Sequence, residues 1–259
     1  MTFLALKKRI RHIAARLGVL RPLRSLVFMM RGVKSLQSDL AWYARLITPG
    51  QLVFDVGANR GQSSEIFIQL GARVVAFEPQ LDLHSEIRQL CKNSPMLTLE
   101  AYGIGDREET RRLYLTEYDQ VASLRDDWEG IRLGESDVQI STLDKQIEHY
   151  GLPDYCKIDV EGWELKVFEG LNHAIPLISF EYHLSPAEVV CAISVLDRLA
   201  LLGDYHCNLK KADSEDFTLS NFLPLSQFRA LFPESLSPPL TEGYGDIICV
   251  LDPSSIRSS

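Results

Sequence analysis

No apolar stretch of the 259-residue chain is long enough to cross a bilayer, since a spanning helix needs about 20 consecutive apolar residues. A secretory leader is not expected, because Lys7, Lys8, Arg9 and Arg11 interrupt the first apolar stretch before it reaches leader length. Cysteine is sparse: Cys91, Cys156, Cys191, Cys207 and Cys249 are odd in number, far apart, and without a C-x-x-C pair or metal-ligand spacing. That distribution predicts reduced thiols in a cytoplasmic setting and argues against disulfides or structural zinc. Cys156, inside an apolar run, reads as a small core residue. Internal repeats, low-complexity segments and the G-x-G-x-x-G fingerprint of dinucleotide binding are also missing, and the last absence turns the reading away from NAD.

With 46% hydrophobic and 24% charged residues, the chain has the composition of an ordinary globular protein with one large core and a small extension. Its net charge of −8 is unevenly divided: residues 1–48 carry ten Lys and Arg against the single acid Asp39, a balance of +9, and the remainder is at −17. An acidic body repels phosphate backbones, so nucleic acid is not the expected substrate. Phe3, Leu6, Ile10, Ile13, Leu17 and Leu20 recur at helical spacing with basic residues between them. They predict a basic amphipathic helix over residues 3–20, which either contacts an anionic membrane surface or a partner, or packs on the body with a solvated basic face. A second helix is expected over 35–47, ending before Pro49 and Gly50. The domain reading is a helical extension at 1–48 and a single globular body at 49–259.

The stretch that organises the body is residues 51–64, QLVFDVGANRGQSS. Leu52, Val53, Phe54 and Val56 suit a strand buried on both faces, and Gly57 and Gly61 permit a tight turn and close ligand approach before a helix. Asp55 stands at the strand end, where open α/β sheets bind ligands. Strands follow at 72–77 and 96–102, with helices at 62–70 and 80–92. Segments 111–117 and 137–142 read as added strands. A helix over 142–151 carries His149 in its last turn, where a cation suits the dipole and a structural role is expected.

DYCKIDV at 154–160 is a further strand, and it delivers Asp159 and Glu161 to the same sheet edge as Gly57 and Asn59. Two carboxylates there must face solvent, a cation or each other's protons. LISFEYH at 177–183 ends in Glu181 and His183, and Ser185, Pro186 and Glu188 open the helix over 186–203 with a capping-box pattern. Strands at 205–210 and 246–251 flank a long connection, 211–245, in which Pro224, Pro233, Pro238 and Pro239 alternate with Phe217, Phe222, Phe228 and Phe232. So long a connection is expected to cover the substrate.

FDVGANRGQ, followed by VVAFEP at 74–79 and KIDVEGWE at 157–164, resembles the FkbM family of S-adenosylmethionine-dependent methyltransferases over roughly residues 50–183. The resemblance implies a doubly wound, Rossmann-like, seven-stranded sheet with its last strand antiparallel. It implies S-adenosylmethionine as cofactor, with Asp55, Gly57, Asn59 and Gly61 in the glycine turn, Glu78 holding the ribose hydroxyls, and Asp106 beside the adenine. VASL at 121–124 resembles a family segment centred on Ser123. The implied activity is O-methylation of a sugar, glycan precursor or secondary metabolite. Local sequence alone reads Asp106 equally well as a turn former.

An aliphatic hydroxyl needs a base or a metal to become a nucleophile. Asp159, Glu161 and His183 are therefore the expected catalytic residues, and the base is His183 or Asp159. Asp159, Glu161 and Glu181 are alternatively ligands for Mg2+. The competing function is a non-catalytic nucleotide-binding or scaffold protein that works through its basic N-terminal helix.

Overall fold

A computed structural model describes residues 36–116, 122–124, 132–212, 214–233 and 243–257. The amphipathic segment at 3–20 lies outside the described residues. Residues 36–43 are helical (α1) and a turn closes at 46, a little short of the expected end. Contacts divide the chain between Ala41 and Trp42, and Trp42–Ser259 forms the body.

The body opens with β1 (Leu52–Val56), buried along its whole length as its apolar run predicts. Then come α2 (Gln62–Gln69), β2 (Arg73–Phe77), α3 (Leu81–Leu90) and β3 (Leu97–Glu100). Next are β4 (Tyr102–Ile104), β5 (Glu109–Thr116), β6 (Ala122–Ser123), β7 (Arg132–Ser141) and α4 (Leu143–Tyr150). β8 (Tyr155–Ile158), α5 (Glu164–Glu169), β9 (Leu177–His183) and α6 (Pro186–Leu199) continue the alternation. β10 (His206–Lys211), β11 (Leu223–Pro224), α7 (Leu225–Leu231) and β12 (Tyr244–Val250) complete it.

The main sheet runs β11-β10-β12-β9-β8-β1-β2-β3. β1 pairs in parallel with β2 and β8, and β8 with β9, whereas β12 enters antiparallel between β9 and β10. The expected seven-stranded sheet with an antiparallel last strand is therefore present, and the two-residue β11 adds an eighth strand at one margin. In the parallel part β1 and β2 are joined through α2, β2 and β3 through α3, and β8 and β9 through α5. On one face Phe54, Ile158, Phe180 and Ile247 join Val167 and Phe168 of α5 and Val195 and Leu196 of α6 in a continuous core.

The expected strand over 96–102 is divided. β3 stays in the main sheet, while residues 102–104 leave it as β4 and pair in parallel with β7. Gly103 allows that close pairing, since a Cβ there would stand 2.7 Å from Ile140 Cδ1. β4, β7, β5 and β6 make a second, four-stranded sheet that gathers the segments read as added strands. The described part of the 211–245 connection packs into the body: Phe217 meets Trp42 edge to face with centroids 4.7 Å apart, and Phe228 and Phe232 are buried. Phe228 and Phe232 belong to the core.

Two helix starts carry side-chain caps, the second of them at the expected capping box. Thr142 accepts from the backbone N–H of Lys145 at 3.2 Å ahead of α4, and Ser185 accepts from that of Glu188 at 3.4 Å ahead of α6, whose first position is Pro186. His149 occupies the last turn of α4 and packs edge to face on Tyr150.

Candidate active site

The turn after β1 is held by Gly57 and Ala58, whose backbone N–H groups both donate to the Phe77 carbonyl at 3.1 Å. Gly57 has φ +82°, and a Cβ there would lie 1.9 Å from the Asp159 carbonyl oxygen, so no other residue lets β1 and β8 end side by side. Asn59 also takes a left-handed φ of +50°. Gly61, at φ +85°, starts α2 against Ile87. The purpose of this geometry is visible at Glu78, one residue past β2. Its Oε2 accepts from the Asn59 N–H at 2.8 Å and its Oε1 from the Gln80 N–H at 2.8 Å. The side chain is only 4% exposed, and burial pushes its pKa up to about 7 against the two amides.

Glu78 stands in the wall of a cleft of about 660 Å³, counted out to its mouth. Gly57, Asn59 and Pro79 continue that wall; Phe77, Ile104, Leu113 and Leu124 supply an apolar flank, and Asp159 and Glu161 close the far side. The cleft is thus amphipathic in a specific way: a carboxylate that can accept hydroxyls, an apolar slot suited to a flat ring, and a pair of acids beyond them.

The far side is the more heavily charged. Asp159 Oδ2 accepts from Lys157 Nζ at 2.7 Å. Glu161 holds φ +53°, and partial burial, followed by the charges of Asp159 and Glu181, pushes its pKa up to about 8. Glu164, 4% exposed, secures the loop that presents Glu161 by accepting from the N–H groups of Val160 at 3.1 Å and Gly162 at 3.3 Å. From β9, His183 Nε2 lies 3.2 Å from Glu181 Oε2, and this hydrogen bond raises the imidazole pKa. The His183 ring stacks on Tyr244 of β12, 5.6 Å between centroids. Glu161, Glu181 and His183 offer donor atoms that all lie within 4.8 Å of one another.

Gly57, Asn59, Glu78, Asp159 and Glu161 are thus brought to one cleft, and Glu181 and His183 adjoin it through Glu161. Three expected cofactor residues stand outside the cleft lining: Gly61 closes the turn, its N–H donating to the Ala58 carbonyl at 2.8 Å, and Asp55 and Asp106 lie elsewhere. Asp55 is fully buried within β1, where its Oδ2 accepts from Ser64 Oγ at 2.5 Å, and it lies beside Lys157 in the strand register. It braces α2 beneath the turn and does not line the cleft. Asp106 lies 3.5 Å from Lys166 Nζ and 3.6 Å from Arg107 Nη1, likewise outside the cleft lining. Ser123 falls within β6, and its side chain lies outside the described residues. Lys157 and Glu164 were not among the residues singled out from the sequence. Their signals were a lone cation inside an apolar strand and a third acid in DVEGWE.

A β-α-β sheet with an antiparallel strand beside its parallel half, and a carboxylate-walled cleft at the carboxyl ends of β1 and β2, defines a Rossmann-like methyltransferase fold. The chain belongs to the FkbM methyltransferases: the Methyltransferase FkbM domain matches residues 55–208. S-adenosylmethionine is the cofactor of these enzymes, and the donor set fits it. Each Glu78 oxygen accepts one amide and retains a lone pair for a ribose hydroxyl, and the apolar flank suits the adenine. No curated protein sequence matches the chain.

Among solved structures, the precorrin-6y C5,15-methyltransferase of Geobacter metallireducens GS-15 is similar at 12% identity, covering 81% of this chain and 86% of that one, with a TM-score of 0.43. An rRNA methylase from Streptococcus thermophilus aligns at 9% identity over 82% of this chain and 93% of that one, with a TM-score of 0.44. The O-methyltransferase from Bacillus cereus, solved in complex with SAH, aligns at 11% identity over 83% and 78%, with a TM-score of 0.41. Among the described residues, no helix is long and apolar enough to cross a membrane.

Proposed function

We propose that this methyltransferase transfers the methyl group to a hydroxyl of a small polyhydroxylated acceptor, such as a sugar, a glycan precursor or a secondary metabolite. The observation that carries this reading is the acidic cluster of Asp159, Glu161, Glu181 and His183 at the far side of the cleft. A hydroxyl must lose a proton as it attacks, whereas the cofactor supplies a sulfonium-activated methyl that needs no further activation.

Gly57, Asn59 and Glu78 hold the cofactor in this reading, and Asp106 takes no part in it. Glu161 is the proton acceptor. It acts in its ionised form, which gains population as pH rises toward its raised pKa of about 8 and binds a proton more tightly than an ordinary carboxylate does. Asp159 is engaged by Lys157 and orients the acceptor through its remaining oxygen. His183 keeps its own proton more firmly than usual beside Glu181, which suits it to donating a hydrogen bond to the acceptor oxygen.

A second reading rests on the 4.8 Å grouping of Glu161, Glu181 and His183, which is the span of ligands around one divalent ion. In that case the ion lowers the pKa of the hydroxyl. Incubating the purified chain with S-adenosylmethionine and parallel panels of sugar hydroxyls and primary amines, and measuring S-adenosylhomocysteine release, tests the acceptor class. Release with hydroxyls alone supports the proposal; release with amines alone contradicts it. Loss of turnover in a chelator, restored by added Mg2+, supports the metal reading.

A further inference from the structure

Cys207 and Cys249 are 42 residues apart in sequence and directly opposite each other in the antiparallel pairing of β10 with β12. Both are completely buried, and their Sγ atoms are 3.0 Å apart. Opposed residues in an antiparallel pair have Cα atoms about 4.5 to 5.5 Å apart, inside the range of about 4.4 to 6.8 Å that a disulfide bridges. A bond of about 2.05 Å then asks the sulfurs to approach by about 1 Å.

We propose that Cys207 and Cys249 form a redox modification site, a thiol pair that a small disulfide of the glutathione class converts to an intramolecular cross-strand disulfide. The thiolate of one cysteine attacks the small disulfide, forming a mixed disulfide and expelling one small thiolate. The second cysteine sulfur then attacks the protein sulfur of that mixed disulfide, closing the Cys207–Cys249 bond and expelling the other. The two protons lost by the cysteines end on the two small thiols, and the small disulfide accepts the two electrons.

Burial and the neighbouring Cys207 hold the Cys249 thiol far above its ordinary pKa, so the pair stays reduced while the strands are closed. Exchange proceeds when the sheet margin opens; beyond β10 lie the two-residue β11, opposite His206 and Cys207, and the 218–221 segment, whose Thr218 N–H donates to the Leu209 carbonyl. The bond encloses residues 208–248, which contain the long aromatic connection. It also ties β10 to the strand that carries Tyr244 to His183.

The test is incubation of the folded full-length chain with excess oxidised glutathione, followed by denaturation, maleimide labelling, trypsin digestion without reductant and mass spectrometry. Cleavage after Arg198, Lys210, Arg229 and Arg257 leaves Cys207 and Cys249 each as the single cysteine of its own peptide. The expected result is one linked pair joining these peptides. Their maleimide labels should be lost together, regained with dithiothreitol, and accompanied by a higher urea midpoint. Cys207→Ser should abolish the link, and Cys249→Ser should do the same. Persistent independent labelling of both cysteines in the wild type, stable glutathione adducts without a link, or pairing with Cys91, Cys156 or Cys191 would each overturn the proposal. The wild-type measurement stands even if a serine variant does not fold.

Discussion

Lys157 of β8 and Asp159, one residue past the strand's end, are joined by a 2.7 Å hydrogen bond from Nζ to Oδ2. The lysine side chain is 8% exposed and the aspartate side chain 35%. A buried ammonium is costly to desolvate, and the carboxylates of Asp159, Asp55 and Asp246 more than offset that cost, holding the Lys157 pKa well above its usual value. The same ion pair fixes one oxygen of a residue that lines the cleft.

Replacing Lys157 by Met should therefore cost more than lost packing. It leaves Asp55 and Asp159 without their shared cation, and removal of one partner of a buried pair typically costs about 3 to 5 kcal/mol. Because Asp159 retains solvent contact, the expected loss is at the lower end of that range. Urea denaturation measures it, and a variant as stable as the wild type would show that the pair carries no net stabilisation.

The pH dependence of stability has a definite sign. Glu78 and Glu164 have folded pKa values of about 7 and Glu161 of about 8, all above the ordinary 4.5. Between those limits the folded chain binds protons that the unfolded chain has released, so stability falls as pH rises. His183, raised in the folded state, acts in the same direction, losing its contribution as pH rises through its folded value. The urea midpoint of the ligand-free chain should thus decline from about pH 5 to about pH 8, and Glu164→Gln should flatten the decline. A rising midpoint over this range would contradict the assigned shifts.

Binding and chemistry should separate. Glu161→Gln should leave S-adenosylhomocysteine affinity nearly intact while lowering turnover by about 10²- to 10⁴-fold, the usual contribution of a positioned base. His183→Ala should also spare cofactor affinity. Calorimetry beside a turnover assay makes the comparison, and loss of cofactor binding in a folded Glu161→Gln protein would move Glu161 to the cofactor side.

The parallel sheet was legible because β1, β2, β8 and β9 are short apolar runs ending in turns, and the meeting of Gly57, Asn59 and Glu78 at one cleft was legible because the glycine turn and VVAFEP stand in order at the ends of adjacent strands. Period-two alternation gives a side chain's face but not what covers it, and at Asp55 the covering group is Ser64 of α2. The division of 96–102 between two sheets depends on β7, some 35 residues onward, and no local pattern announces it. The thiol pair was invisible for a similar reason: the register of β10 with β12 unites cysteines that sequence spacing keeps apart. A lysine flanked by Cys156 and Ile158 in an apolar strand has to find partners inside, and the sequence does not say which acids supply them.

The central claim is that Glu78 anchors the cofactor, and calorimetry with S-adenosylhomocysteine and NAD, on the wild type and on Glu78→Gln, tests it most directly. The wild type should bind S-adenosylhomocysteine and not NAD. The variant should bind S-adenosylhomocysteine more weakly by about 1 to 3 kcal/mol, the worth of hydrogen bonds to a charged group. Equal affinity in wild type and variant, or binding of NAD in place of S-adenosylhomocysteine, would contradict the account.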